Sequence, residues 1–193
     1  MRQVQLTALG LFETRGFDAV TIEDVAGAAL VSAPTIYRHF GTKEGLVPWD
    51  EYDPALLHAL DECLSVNAIG DAIRKAIVRP LSRLYTAEAS RILRRVRLVE
   101  NHPDLRAAVA ANLRELRSAM AGIFVSSGLC RGSLEADVIA GATVTALEVA
   151  TEHWAQAKGR QPLHVFIERS LRFLRRFAET TSVPKGVRKE ANR

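Results

Sequence analysis

"VSAPTIYRHFGTKEGL", residues 31–46, is a short polar island in an otherwise aliphatic, arginine-rich chain. Ser32 has the side chain to cap a helix, and Pro34 falls in the first turn, where a missing N–H removes no intrahelical bond. Gly41 supplies the stop. The spacing predicts a helix of about eight residues, roughly 12 Å long at 1.5 Å per residue. Val31, Ile36 and Phe40 face inward on this reading. Ser32, Ala33, Pro34, Thr35, Tyr37, Arg38 and His39 are left at the solvent end, a surface rich in hydrogen-bonding groups and poor in apolar ones.

The segments before it follow the same logic. Val4, Ala8, Leu11 and Phe12 make the apolar stripe of a first helix ending near Arg15-Gly16. Thr21 begins a second helix with Asp24 three residues on, a capping-box arrangement, and Ile22, Val25, Ala26 and Ala29 form its inner face. Two helices joined by a three-residue turn make a helix-turn-helix. The second is about as long as the DNA major groove is wide, and its polar face suits insertion there. Thr42 is expected to cap a fourth helix. Lys43 in its first turn would oppose the helix dipole unless it shared an anion such as a phosphate.

The whole chain bounds these readings. It has 193 residues, 48% of them apolar, so it can bury a substantial core; its alanine-rich composition favours an all-α fold. No apolar run approaches the ~20 residues needed to span a bilayer. "MRQVQLTALGLF" lacks a small-residue cleavage site, and Cys63 and Cys130 are isolated, so a soluble cytoplasmic protein with two reduced thiols is expected. The net charge of +4 is unevenly placed. Residues 1–47 carry four basic groups (Arg2, Arg15, Arg38, Lys43) against five acidic ones (Glu13, Asp18, Glu23, Asp24, Glu44), leaving the rest of the chain at +5.

Beyond the fourth helix, which is expected to continue with bends at Pro48 and Pro54, the periodicity predicts helices over 69–86, 88–100, 103–127, 133–157 and 162–180. Pro80 should kink the first of these, and Pro103 should open the third. Residues 71–100 carry eight basic groups, Arg91, Arg94, Arg95 and Arg97 among them, against three acidic ones. They read as solvated or salt-bridged helix faces, or as the basic mouth of a site for an anionic, amphipathic effector. Leu81, Leu84, Tyr85, Val96, Leu113, Leu116, Met120, Phe124 and Leu147 are the expected wall of such a cavity. Asn112, Thr143 and Glu148 are its expected polar contacts, with Arg94 among the arginines at its mouth. No metal-ligand spacing links His39, His58, His102, His153 or His164 to the cysteines or carboxylates, and there is no G-x-S-x-G elbow. No enzyme, cofactor or metal is expected.

"LTALGLFETRGFDAVTIEDVAGAALVSAPTIYRHFGTKEGLV" resembles the DNA-binding domain of the tetracycline-repressor (TetR) family. The match runs through about the first 47 residues without a gap, and "PTIYRHF" followed by "TKE" is its specific core. The resemblance implies an N-terminal helix-turn-helix domain (1–47), a helical effector-binding and dimerisation domain (48–180), a basic disordered tail (181–193) and about nine helices. It implies a homodimer on a near-palindromic operator, released by a small molecule; the basic groups of residues 71–100 make an acyl thioester of coenzyme A the expected kind of effector. Thr35, Tyr37 and Lys43 occupy positions that hold phosphates in such regulators. Ala33, Pro34 and Tyr37 match those approaching base edges or thymine methyls, and Thr21 matches a cap that meets the backbone.

For the dimer contact, Ala142, Ala146 and Ala150 are small enough for close helix approach. Phe166, Ser170, Phe173 and Phe177 lie on an apolar face too wide for one-sided packing; the alternative is that both helices complete the core of one subunit. The family usually has glycine where this chain has Leu30, so a positive φ there would cost of order 1 kcal/mol. Leu30 and the acidic head motivate a second reading, an effector-binding or scaffold protein with a degenerate helix-turn-helix.

Overall fold

The computed structural model describes residues 1–48 and 53–180, with the backbone alone for 53, 79, 81–88 and 177–180. Among the described residues there are eight α-helices and one short 3-10 turn, and no strand. The expected basic tail, and the side chains of Leu81, Leu84, Tyr85 and Phe177, lie outside the described residues. No helix among them is long and apolar enough to cross a membrane.

Helix α1 (Arg2–Arg15) buries Val4, Gln5, Ala8, Leu9 and Phe12, so Leu9 rather than the half-buried Leu11 completes its stripe. Gly16 ends it at φ 86°, donating its N–H to the Phe12 carbonyl. Helix α2 (Ile22–Ala29) opens with the expected capping box. The Thr21 N–H donates to Asp24 Oδ2 at 2.9 Å, and the Asp24 N–H donates to Thr21 Oγ1 at 3.1 Å. The Thr21 N–H, and then the Thr21 hydroxyl donating to the same Oδ2 at 2.9 Å, hold the Asp24 carboxyl below its ordinary range, with Arg15 contributing less.

The turn after α2 settles the question raised by Leu30. Its φ and ψ are 56° and 41°, the left-handed conformation. Its N–H reaches the Gly27 carbonyl, and the Val31 N–H reaches that of Ala26 at 3.0 Å, the two bonds of a Schellman closure. Leucine thus takes the glycine position at the expected strain, its side chain 93% exposed, and the geometry of the turn is kept. Helix α3 (Ala33–Phe40) follows, with Ser32 Oγ accepting the Thr35 N–H, Pro34 in the first turn and Gly41 at φ 72° after the end. Ile36 and Phe40 are its buried residues.

The fourth helix expected from Thr42 does not form. Residues Glu44–Leu46 make a single 3-10 turn, with Thr42 Oγ1 accepting the Gly45 N–H. The chain doubles back so tightly that a Cβ on Gly45 would lie 2.1 Å from the Phe40 carbonyl oxygen, a position only glycine can occupy without backbone movement. The next helix, α4 (Asp53–Leu64), begins later and has Pro54 in its first turn rather than at a bend.

Helix α5 (Ile69–Glu100) is continuous, correcting the expected break near residue 87. It runs through Pro80, and no glycine or further proline lies between that residue and Glu100 to stop it. Helices α6 (Pro103–Ser126), α7 (Ser133–Gln156) and α8 (Leu163–Thr180) complete the body. Its core includes Leu60, Ile77, Ile92, Met120, Phe124, Ala140, Val144, Trp154 and Ile167. A separate core fills the head, where Phe12, Phe17, Val25, Ile36, Phe40, Leu46 and Val47 cluster. Leu105, from the first turn of α6, is buried in that head core, with Leu98 and Val99 of α5 packed against it.

Leu30→Gly removes the left-handed strain without removing a packed side chain. It should stabilise the protein by about 1 kcal/mol, raising the melting temperature by roughly 2–4 °C. A calorimetric scan showing no gain would mean that the turn relaxes around leucine at no cost.

Candidate DNA-binding face and ligand cavity

The outer face of α3 is built from the head core outward. Ile36 and Phe40 anchor the helix, which leaves Pro34, Tyr37, Arg38 and His39 exposed and Ala33 and Thr35 half-buried. Tyr37 is 48% exposed. Ser32 Oγ and Thr35 Oγ1 lie 2.8 Å apart in a hydrogen bond, and the Thr21 cap of α2 is exposed as well. The side chains of Tyr37, Arg38 and His39 make no hydrogen bond or ion pair among the described residues, and so keep their donors for a partner outside the chain.

Lys43 departs from its expected environment. Its ammonium donates to the Phe17 carbonyl at 2.9 Å and stands 4.3 Å from the centroid of the Phe17 ring, a combined hydrogen bond and cation–π contact. The 3-10 turn it precedes is too short to carry much dipole, so no dipole conflict calls for an anion there. Lys43 braces the end of the head against the loop after α1, and the carbonyl takes one of its three donors.

Three arginines of α5 have partners in the head or its exit: Arg94 is salt-bridged, Arg91 and Arg95 bond to neutral oxygens, and Arg95 also lines the cavity. Arg94, expected at the mouth of a ligand site, instead donates from Nε to Glu13 Oε1 at 2.6 Å, an ion pair with α1, and does not line the cavity between α5, α6 and α7. Arg91 is buried and donates through Nη1 to Gln5 Oε1 at 3.1 Å. Gln5 passes the connection on, its Nε2 donating to the Leu46 carbonyl at 2.9 Å and the Val47 carbonyl at 3.3 Å. Arg95 Nη2 donates to the Pro48 carbonyl at 3.0 Å. A charge excess along the sequence thus becomes a row of contacts fastening the head to the body.

A cavity of about 540 Å³ lies between α5, α6 and α7 beside the exit from the head. Val96, Asn112, Leu113, Leu116, Leu147 and Glu148 line it as the sequence suggested. Met120 and Phe124 do not; they are fully buried core residues. Thr143 is buried as well, its hydroxyl donating to the Ile139 carbonyl at 2.8 Å. Arg95, one of the arginines expected at the mouth, lines it too, and the lining residues missed in the sequence include Pro48, Arg106, Glu152, Gln156 and Ile167. Of these, Glu152 and Gln156 continue the four-residue spacing of Glu148 along α7, which is the signal that could have revealed them.

Because α6 and α7 are joined by a short turn and run antiparallel, Leu113, Leu116 and Leu147 share one end of the cavity. Arg106, Glu152 and Gln156, all exposed, share the other. The shape is an apolar bore with a charged, open mouth. Partial desolvation against the cavity wall, with the side chain still exposed, and then the Glu152 carboxylate push the Glu148 carboxyl above its ordinary range. Among the described residues, no group of three or more His, Cys, Asp or Glu side chains is placed to hold a metal.

Two surfaces remain outside both sites. Along α7, Leu134 (77% exposed), Val138 (61%) and Val149 form an apolar stripe with the half-buried Ala142, while Ala146 and Ala150 face inward. These two alanines are filled against by their own chain, so the expected contact between subunits cannot use them. On α8, Leu163 and Ile167 are buried, Phe166 and Ser170 half-buried, and Phe173 exposed.

Residues 6–48 match the family of bacterial regulatory proteins, tetR family, and residues 67–178, more than half of the chain, match the MftR C-terminal domain. The chain belongs to the TetR family. A Mycobacterium tuberculosis protein provisionally named as the mycofactocin biosynthesis transcriptional regulator MftR is 29% identical over 103 residues, 52% of this chain and 51% of its own. The HTH-type transcriptional regulator TcmR of Streptomyces glaucescens is 30% identical over 126 residues, 62% of this chain and 56% of its own. The match therefore spans about half the length of these curated relatives. The crystal structure of Thermus thermophilus FadR, a TetR-family transcriptional repressor in complex with lauroyl-CoA, shares the fold. Its TM-score is 0.58 at 22% identity, over 96% of this chain and 97% of that one.

The raised Glu148 carboxyl fixes the sign of a pH effect in this TetR-family chain. The folded state holds that proton more tightly than the unfolded state, so ionising Glu148 costs stability as pH rises above its ordinary value of 4.5. Glu148→Gln should therefore melt higher than wild type at pH 7, and the gap should close near pH 4. A gap of the same size at both pH values would assign it to packing instead.

Proposed function

We propose that the protein is a ligand-responsive transcriptional repressor. It binds a near-palindromic operator as a homodimer and leaves it when a small amphipathic molecule fills the cavity. The observation that carries this reading is the outer face of α3, where Tyr37, Arg38 and His39 stand exposed on the helix-turn-helix with no partner among the described residues. Thr21, Ser32, Thr35 and the remaining donors of Lys43 then meet phosphates, while Ala33, Pro34 and Tyr37 approach base edges. Because Leu30 keeps the geometry a glycine would give, the turn supports a working motif over a degenerate one.

A head with a net charge of −1 gains little from counterion release, which favours two heads acting together. In a dimer the two recognition helices enter successive major grooves about 34–36 Å apart. The stripe Leu134, Val138, Ala142 and Val149 of α7, with Phe166, Ser170 and Phe173 of α8, is the surface we assign to that contact. The apolar bore suits an acyl chain, and among its lining Arg95 and Arg106 are the groups that would take an anionic end, beside the carboxyls of Glu100, Glu148 and Glu152; the lauroyl-CoA complex of the Thermus FadR supports that class. Such a ligand releases DNA only by preferring the non-binding state; a ~100-fold preference corresponds to about 2.7 kcal/mol. The reading needs no catalytic step and no cofactor, and it places the protein in the cytoplasm with the DNA.

A mobility-shift titration on the DNA upstream of the protein's own gene tests the reading. Wild type should give a saturable, sequence-specific shift. Tyr37→Ala should weaken it at least tenfold with an unchanged melting temperature, since half of that side chain is already in solvent. Equal affinity of the two proteins would remove α3 from the interface.

Val138→Glu and Phe173→Glu should each give monomers in light scattering, because an unpaired carboxylate buried at an interface costs several kcal/mol. A full dimer for both variants would place the contact elsewhere.

A further inference from the structure

The exit from the head, residues 46–48, is held from α5 by two arginines one turn apart. Arg91 acts through Gln5 on the Leu46 and Val47 carbonyls, and Arg95 acts directly on the Pro48 carbonyl at 3.0 Å. Three consecutive backbone carbonyls thus depend on one face of one helix. The two struts differ in access. Arg91 and Gln5 are buried and do not line the cavity, whereas Arg95 and Pro48 are both part of its wall.

We propose that Arg95 is the residue through which the protein senses its ligand. An anionic oxygen on a molecule in the cavity takes the guanidinium from the Pro48 carbonyl and frees the exit segment, while the Arg91–Gln5 strut keeps the head attached. The exchange is favourable because a hydrogen bond to an ionised acceptor is roughly twice as strong as one to a neutral carbonyl, and guanidinium can grip carboxylate or phosphate with two N–H groups. It reaches the DNA-binding face by packing. Val47, next to Pro48, lies in the same buried cluster as Ile36 and Phe40 of α3, and a close-packed cluster transmits a shift at one edge.

The inference rests on the ligand-responsive reading above, and its test separates the two. Without any ligand, Arg95→Ala should imitate the liganded state. Hydrogen exchange at the Leu46 and Val47 amides should quicken at least tenfold, and operator affinity should fall at least fivefold. Arg97→Ala, which removes the same charge from an exposed position on the same helix, should change neither.

Laurate and lauroyl-CoA, with dodecanol as the neutral control, are then titrated against the operator complexes. Wild type should lose affinity with one or both anions and not with dodecanol, and which anion acts separates a carboxylate from a phosphate. Arg95→Ala should lose less than twofold further, and Arg95→Lys, which retains one charged donor, should fall between. Wild-type exchange and operator affinity in Arg95→Ala, or a full ligand-induced loss in that variant, would overturn the proposal. A wild type that binds no DNA would instead overturn the regulator reading, and the exchange measurement would still decide whether Arg95 latches the exit.

Discussion

A buried glutamine on the first helix joins the two halves of this molecule. Gln5 has no exposed surface, and both ends of its amide are used: the oxygen accepts from Arg91 of α5, and the nitrogen donates to the carbonyls of Leu46 and Val47. A buried amide left unpaired costs about 1–3 kcal/mol, more against a charged partner, so these groups favour one relative placement. The position of the head on the body, and with it the aim of α3, depends on that bridge. Arg94–Glu13 and the seating of Leu105 in the head core reinforce it from either side.

On the proposed reading, the bridge lets so short a head bind specifically without being basic. Its own residues carry a net charge of −1, so charge attraction to DNA is weak and geometry must do more. Geometry is what the bridge supplies. Helix α5 carries the arginines that hold the head and, on the same turns, Ile92, Arg95, Val96 and Val99 of the cavity wall. Val99 also packs against the head core. One rigid helix therefore touches both sites, and a molecule between α5, α6 and α7 has a short physical route to the DNA-binding face.

How much of this was legible follows from the range of each interaction. The head was readable almost residue by residue because its signals are local: Thr21 with Asp24, Ser32 with Thr35, Gly41 after Phe40. Even the strain at Leu30 could be read, since a Schellman turn asks for one left-handed residue at one place. The 3-10 turn at Glu44–Leu46 was not, because it depends on Gly45 pressing against the Phe40 carbonyl. The bonds of Arg91, Arg94 and Arg95 to the head could not be read because their partners lie 86, 81 and 47 residues away, beyond any pattern along the chain, and of the three only Arg95 also lines the cavity. Met120, Phe124 and Thr143 were placed on the cavity wall because periodicity tells an apolar face from a polar one, but not a filled interior from an open one. Ala146 and Ala150 went wrong for the same reason: small residues permit close packing without saying against which helix.

The central claim is that head placement, held by the Gln5 bridge, controls DNA binding. Gln5→Met keeps the size of the side chain, removes both hydrogen-bonding ends and leaves α3 untouched. Fluorescence anisotropy on a footprinted operator, at a temperature where circular dichroism shows both proteins fully folded, measures the consequence directly. An operator affinity at least tenfold weaker than wild type is the predicted result, and an unchanged affinity would contradict the account.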